Sequence, residues 1–285
     1  MTGLLSFRFT IFATLALALG CAGSTPDASS DAAPDANDPI ARAIASPHRS
    51  AANVARDQYR HPAETLTFFG LEEDMTVIEV LPGGLWYGEI IAPIVKEKGR
   101  YIAAAYDIDL EGQPEYRSAG YQRMVARFEK EPEVFGSPGI AKLSAPASID
   151  LGAAGSVDMV LTFRSTHGWV RDAAAEAVYT AFFEVLKPGG VLGVVQHRAS
   201  EKTNTSPGSF TGYVSEDQVI QLATDAGFVL DDKSEINANP TDEANYPDGV
   251  WTLPPSLTLK DKDRATYLAI GESDRMTLRF VKPKS

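Results

Sequence analysis

The stretch Thr76 to Pro93, TVIEVLPGGLWYGEIIAP, constrains the fold more than any other part of the chain. An apolar run, Val77-Ile78-Glu79-Val80-Leu81, ends abruptly at Pro82-Gly83-Gly84. A helix-like pattern follows at once, with Trp86, Ile90, Ile91 and Ile94 on one face. Strand, tight glycine turn and helix in that order make the first unit of a parallel α/β sheet, where small ligands sit outside the carboxyl ends of the strands. Glycines there let a ligand approach the backbone, and the free N–H groups of a helix start favour negative charge. Glu79 is the odd residue, a carboxylate inside a strand that otherwise reads as buried. Pro-Gly-Gly alone is a loop signal; the acidic residue near the strand end and the helix straight after it point to a ligand site.

The chain has 285 residues and a composition close to the globular average, enough for one large domain or two small ones. A formal net charge of -12 argues against nucleic acid as a partner, because phosphate binding needs a basic surface. The first twenty residues read as an export signal. Arg8 is their only charged side chain, and Phe9 to Leu19 is apolar but too short to span a bilayer. Ala18-Leu19-Gly20-Cys21 resembles a bacterial lipoprotein signal, with Ala18 where Leu is usual. Cys21, the only cysteine, would become the lipidated first residue; an ordinary secretory signal cleaved nearby is the alternative. Ala22 after the Cys, in place of Asp, implies the outer membrane of a Gram-negative cell, with the protein on the periplasmic face. One cysteine provides no disulfide framework. Residues 21–39 then form a lipidated Cys and a flexible tether, rich in Ala, Ser, Asp and Pro, and 40–285 a single domain.

Within that domain, Ile40 to Gly70 reads as helical, with Ser46 or Ser50 as a cap and Pro62 ending or kinking the first helix. Its polar cluster Arg56 to Pro62 is either a solvated helix face with an Asp–Arg pair or a lid over the ligand edge of the sheet. The strand Thr76 to Leu81 and a helix over Trp86 to Glu97 are followed by a second strand, Tyr101 to Tyr106, that stops at Asp107. An acidic residue about 20 to 25 residues after the glycine turn is where a ribose hydroxyl pair is usually held, although an Asp can also simply begin a loop. A helix over Glu115 to Lys130, a short strand Ile140 to Leu143 and a clear strand Val157 to Phe163 come next. That last strand delivers a loop, Arg164 to Trp169, whose His167 and Trp169 are either a cleft wall or surface and packing residues. Ala173 to Leu186 is a helix, stopped by Lys187-Pro188-Gly189-Gly190. Val191 to Gln196 is apolar on both faces and therefore central, and it delivers His197 and Arg198 to the same crevice. A mobile polar loop over 201–213, a helix Ser215 to Ala226, a strand Phe228 to Ile236, an irregular stretch and a last strand Arg275 to Val281 complete the chain.

This order resembles the Rossmann-like class I S-adenosylmethionine (SAM)-dependent methyltransferases. Leu186-Lys187-Pro188-Gly189-Gly190 is similar to the turn before their fifth strand. More closely, the chain resembles a family of exported bacterial "predicted methyltransferases". That resemblance rests on Tyr59-Arg60-His61-Pro62, Glu79 to Gly84, Leu161 to Arg164, His197-Arg198, Glu235 to Pro240 and Gly249 to Pro255. It implies a seven-stranded, mostly parallel sheet with an antiparallel last strand and helices on both faces. It implies SAM as cofactor, with the turn from Glu79 through Leu81, Pro82, Gly83 and Gly84 on its methionine part, and Tyr87 beside it. Asp107 would take the ribose, and Thr162, Phe163, Arg164 and His167 would wall the site near the methyl group. One departure stands out. The family turn reads acidic-x-Gly-x-Gly-x-Gly, and here the glycine places are Leu81, Gly83 and Leu85.

Methyl transfer needs alignment and often a base, and His197, His167 and His61 are the neutral bases at crevice positions, with Arg60 beside them. Arg60, Arg164 and Arg198 could also hold an anionic substrate. No metal-ligand spacing, serine nucleophile elbow or cysteine nucleophile is present in the sequence. SAM is made in the cytoplasm, so the export signal keeps a second reading open: a methyltransferase-like binding protein of the envelope that uses the crevice for another ligand.

Overall fold

In a computed structural model, residues 1–2, 38–204, 206 and 209–284 are described. The chain divides between residues 33 and 34, and everything from Asp38 onward belongs to the second unit. The readings of residues 3–37, including Cys21 and the tether, lie outside the described residues.

Four short helices open the domain: α1 (Pro39–Ile44), α2 (Ala51–Val54), α3 (Asp57–Arg60) and α4 (Pro62–Phe69). The sequence reading of one helix up to Pro62 is corrected here. Ser50 does cap α2, accepting from Asn53 N at 3.2 Å, but that helix ends after one turn. His61 sits in the left-handed region (φ 39°) and separates α3 from α4. The segment is broken because its polar groups are committed to tertiary partners. Arg49 bonds Asp57 at 2.7 Å and Glu89 at 3.2 Å, and Trp86 Nε1 donates to Asn53 O at 3.0 Å.

The alternation of strands and helices then begins. It runs β1 (Thr76–Val80), α5 (Gly88–Val95), β2 (Arg100–Ala105), α6 (Glu115–Lys130), α7 (Pro132–Phe135), β3 (Gly139–Ser144) and β4 (Ser148–Asp150). It continues with β5 (Val157–Phe163), α8 (Thr166–Arg171), α9 (Ala175–Val185), β6 (Leu186–His197), α10 (Glu216–Asp225) and β7 (Val229–Ser234). A 3-10 turn (Gly249–Thr252), α11 (Arg264–Ile270) and β8 (Arg275–Val281) close it. The sheet order is β4-β3-β2-β1-β5-β6-β8-β7. It has eight strands rather than the expected seven, because β4 turns back antiparallel on β3. β8 runs antiparallel between β6 and β7, as the last strand was expected to do. The turn at Lys187 to Gly190 belongs to β6: Gly189 N donates to Lys282 O, and Lys282 N donates to Gly190 O, so the extended backbone begins at Leu186.

The sheet separates two cores. On one face Val77, Met159 and Leu161 pack under α4 and α5, with Phe69, Ile90, Ile91 and Phe135 fully buried. On the other, Ile78, Val80, Val160 and Leu192 meet Val178, Tyr179 and Phe182 of α9. Gly193 lets α4 approach, since a Cβ there would lie 2.9 Å from the Phe69 ring. Burying a Phe side chain of that kind stabilises the fold by roughly 2–3 kcal/mol. β1 has β2 on one side and β5 on the other, so chain order reverses at β1 and a crevice opens beyond the strand ends there.

Candidate functional site

The crevice begins at the turn after β1. Leu81 N donates to Ala104 O at 2.8 Å, extending the ladder by one residue before the chain turns. Leu81 (φ 49°), Gly83 (φ 57°) and Leu85 (φ 61°) are all left-handed. For a leucine this costs about 1–2 kcal/mol against the ordinary backbone. The turn is thus left-handed at all three of the expected glycine places, although two of them are leucine. Leu85 is buried, which offsets the strain, and Gly83 and Gly84 are exposed on the crevice side. A Cβ at Gly84 would meet nothing within 4 Å, so a ligand can lie against this peptide.

From that turn a cleft of about 810 Å³ runs along the carboxyl ends of β1, β2, β5 and β6. This is within the size range of small-molecule sites. Leu81 to Leu85, Tyr106 and one face of α6 form its first end. Arg164, His167 and His197, at or just beyond the ends of β5 and β6, form the second, closed by Phe210 and Trp251 from the long connections. Phe210 and Trp251 lie 5.0 Å apart, and His167 is 5.7–5.8 Å from both. His167 and Trp169 were read as loop residues and are in α8.

The cleft is cationic in a chain of formal charge -12. Arg117, Arg123, Arg127, Arg164 and Arg171 line it, against Asp172 as the one acidic side chain among the described residues of the lining. Several of these cations are already matched. Arg127 pairs with Glu89 at 3.0 Å and Glu131 at 3.1 Å, and Arg171 with Asp172 at 2.6 Å. Arg117 bonds Gln113 at 2.7 Å and stacks 4.3 Å over Tyr106. The Arg164 guanidinium makes no hydrogen bond or ion pair among the described residues. Its backbone is left-handed (φ 62°), anchored by its N–H to Val195 O at 2.7 Å. Burial, then the charges of Arg60 and Arg275, push its pKa down.

Both cleft histidines are held neutral. Burial pushes His167 to about 4, although Gln196 bonds its Nδ1 at 3.3 Å. Burial, then the neighbouring charges, push His197 well below its ordinary value. His197 Nδ1 lies 2.5 Å from Ser273 Oγ, and its Nε2 has no hydrogen bond among the described residues.

Other expected site residues lie outside the cleft lining. Glu79 faces the α5 side, accepts from Tyr101 Oη at 2.6 Å, and is 3% exposed. Burial raises its pKa to about 7, against the Tyr101 bond and the Arg60 charge. The Asp107 carboxylate is held by three partners: Ser148 Oγ donates to it at 2.8 Å, Lys142 pairs with it at 3.0 Å and Asp109 N donates to it at 3.2 Å. The Lys142 and Ser148 bonds hold its carboxyl below the usual range. Tyr87 stacks on Phe163 with its hydroxyl on Arg60 O, and Thr162 is buried within the sheet. No residue of 40–70 lines the cleft; α1 of this segment packs on α5, and α4 packs on β6 and β8. Arg60 lies there, 4.6 Å over Trp86, and His61 is the hinge before α4. Arg198 is bound by Asp274, Glu235 and Glu216.

The α6 face, Tyr106, Phe210 and Trp251 were not identified as site residues from the sequence. Trp251, with Tyr246, is read from the sequence only as aromatic content of the irregular stretch 237–259. Glu89, fully buried between Arg49, Asn53 and Arg127, ties the N-terminal helices to α6 and so fixes that face.

No family model matches the sequence, and no curated protein matches it. Solved structures do match the fold. A SAM-dependent methyltransferase from Aquifex aeolicus aligns with TM-score 0.52 and 17% identity, over 80% of this chain and 92% of its own. The [4+2]-cyclase SpnF aligns with TM-score 0.54 and 14% identity, over 79% and 82%. Haemonchus contortus phosphoethanolamine N-methyltransferase 2, solved with SAM, aligns with TM-score 0.52 and 14% identity, over 79% and 53%. The fold is thus the Rossmann-like α/β methyltransferase fold, with one short extra edge strand.

Proposed function

We propose that this chain is a SAM-dependent methyltransferase acting on a small molecule or an envelope substrate. The observation that carries the reading is the turn after β1, which keeps three left-handed residues at the glycine places and opens Gly83 and Gly84 to the cleft. An open peptide there fits a ligand that lies against backbone. Bound SAM would supply an electrophilic methyl on a sulfonium, and the protein has little covalent work to do. Leu81, Pro82, Gly83, Gly84 and Tyr106 would hold the cofactor at the first end of the cleft. Phe163, Arg164 and His167 would place the acceptor at the second. His197, neutral and tied at Nδ1 to Ser273, would receive the acceptor's proton at Nε2.

A second reading is favoured by Asp107, whose carboxylate is bonded by Ser148 and Lys142 and which is not among the residues lining the cleft. The resemblance to SpnF, a cyclase of the same fold, points the same way. On it, the chain is an envelope binding protein or non-methylating enzyme using the same cleft. The finer family placement, among exported lipoproteins anchored through Cys21 on the periplasmic face of the outer membrane, belongs to this proposal too.

Incubation with methyl-labelled SAM and a panel of small organic acceptors separates the two. Release of S-adenosylhomocysteine that depends on acceptor supports the enzyme. Tight binding of an acceptor with no release under any condition supports the second reading.

A further inference from the structure

We infer that the end of the cleft beyond β5 and β6 is a carboxylate subsite, with the Arg164 guanidinium as its anchor and an apolar or aromatic body held by Phe210 and Trp251. The subsite stands on its own geometry; the methyl-transfer reading enters only in making this carboxylate the acceptor.

A group of cations lies behind the cleft wall. Arg56, Arg60 and Arg275 surround Glu272, with Arg56 Nε at 2.6 Å and Arg60 Nε at 3.4 Å from its oxygens. Three cations share one carboxylate, and the Nη2 atoms of Arg56 and Arg60 are buried without a partner. Arg275 reaches the cleft through Ser273, which accepts from its Nε at 3.4 Å and meets His197 on its other side. Arg164 adds a fourth cation in front of this group. A buried excess of positive charge is costly unless an anion completes it. Arg164 is the member of the group that opens onto the cleft and has no partner.

The chemistry of the anion follows from what else is present. Arg171 is at this end but is taken by Asp172, and its guanidinium lies 4.7 Å over Phe210. One free guanidinium fork matches one carboxylate. A phosphate dianion would ask for more open donors than this end provides. The remaining walls are the Phe210 and Trp251 rings and two neutral imidazoles, which suit an apolar body. SAM carries a net positive charge, so it does not balance a cationic cleft; an anionic co-ligand does. The left-handed backbone at Arg164 is the kind of local strain that persists at binding sites.

The test uses the full-length chain, calorimetry and no SAM. Benzoate is the probe, benzamide its neutral isostere and inorganic phosphate the competing anion. Benzoate is expected to bind at least about tenfold more tightly than benzamide and than phosphate. Arg164→Gln is expected to remove that preference, and Phe210→Ala to weaken benzoate several-fold while leaving the preference in place. Equal binding of benzoate and benzamide, or no binding of benzoate to the folded protein, overturns the subsite. Tighter phosphate binding overturns its assignment to carboxylates. If Arg164→Gln does not fold, the comparison of benzoate with benzamide on the unaltered chain still decides. Failure of SAM to bind in a separate titration would leave this subsite standing and remove the methyl-transfer reading alone.

Discussion

Tyr101 donates a 2.6 Å hydrogen bond to Glu79 Oε2 inside the core, and Gly88 makes room for the pair. A Cβ at Gly88 would lie 2.7 Å from Tyr101 Oη and 3.0 Å from Glu79 Oε2. The carboxylate that looks like a ligand residue in the sequence is thus joined to the next strand, under α5.

That placement has a pH signature. Burial raises the Glu79 pKa to about 7 from an ordinary 4.5, so the folded state prefers it protonated. The stability it contributes is complete below about pH 4.5 and is lost as pH rises through about 7, by an amount on the order of 3 kcal/mol. Glu79→Gln keeps the bond from Tyr101 without the charge. Urea unfolding midpoints at pH 5 and pH 8 should differ less in Glu79→Gln than in the unaltered chain; an identical difference would contradict the burial argument.

The two cleft histidines tilt stability the other way. Burial depresses His167 to about 4, so its contribution is present above the ordinary value near 6.5 and is lost as pH falls through about 4. His197 is shifted in the same direction. Imidazole NMR titration should find both rings neutral at pH 6. A ring that protonates above pH 6 would mean that water reaches it freely.

Among the described residues, Glu272 is the single counterion of the Arg56, Arg60 and Arg275 group. Burial alone would raise its pKa, but Arg275, Arg60 and Arg56 outweigh that and hold it at about 2. Glu272→Gln leaves three guanidinium groups without their counterion and should cost about 3–5 kcal/mol in unfolding free energy. In the fraction that stays folded, benzoate should bind more tightly than to the unaltered chain. A loss under about 1 kcal/mol would mean that solvent already screens the group.

Gly83 and Gly84 differ although they are neighbours. Gly83 is left-handed (φ 57°), and alanine there should cost about 1–2 kcal/mol. At Gly84 a Cβ meets nothing within 4 Å, and alanine should leave the unfolding midpoint unchanged. Equal losses at the two positions would contradict the turn geometry.

The strands were legible wherever apolar runs met clear punctuation. β5 and β8 begin and end where the pattern says, because both are buried and bounded by polar residues. The N-terminal helices were not, because Arg49, Asn53 and Asp57 spend their polar groups on Glu89 and each other. β4 was missed as well: three half-exposed or exposed residues carry no hydrophobic pattern. In the cleft, strand-end residues such as Leu81, Arg164 and His197 could be found from topology. Phe210 and Trp251 come from long connections whose path no local pattern fixes. Spacing alone did not show the partners of Asp107: it stands at the position marked by the distance from the glycine turn, and Lys142 and Ser148 bond its carboxylate.

The central claim is that SAM lies against the open peptide at Gly83 and Gly84. Calorimetric titration of SAM and S-adenosylhomocysteine into the full-length chain and into Gly84→Trp tests it most directly. Micromolar or tighter binding to the unaltered chain is expected, on the order of -8 kcal/mol. Loss of that binding is expected when the indole fills the space beside the turn. A folded protein that binds neither compound, or a Gly84→Trp chain that binds both unchanged, would contradict the claim.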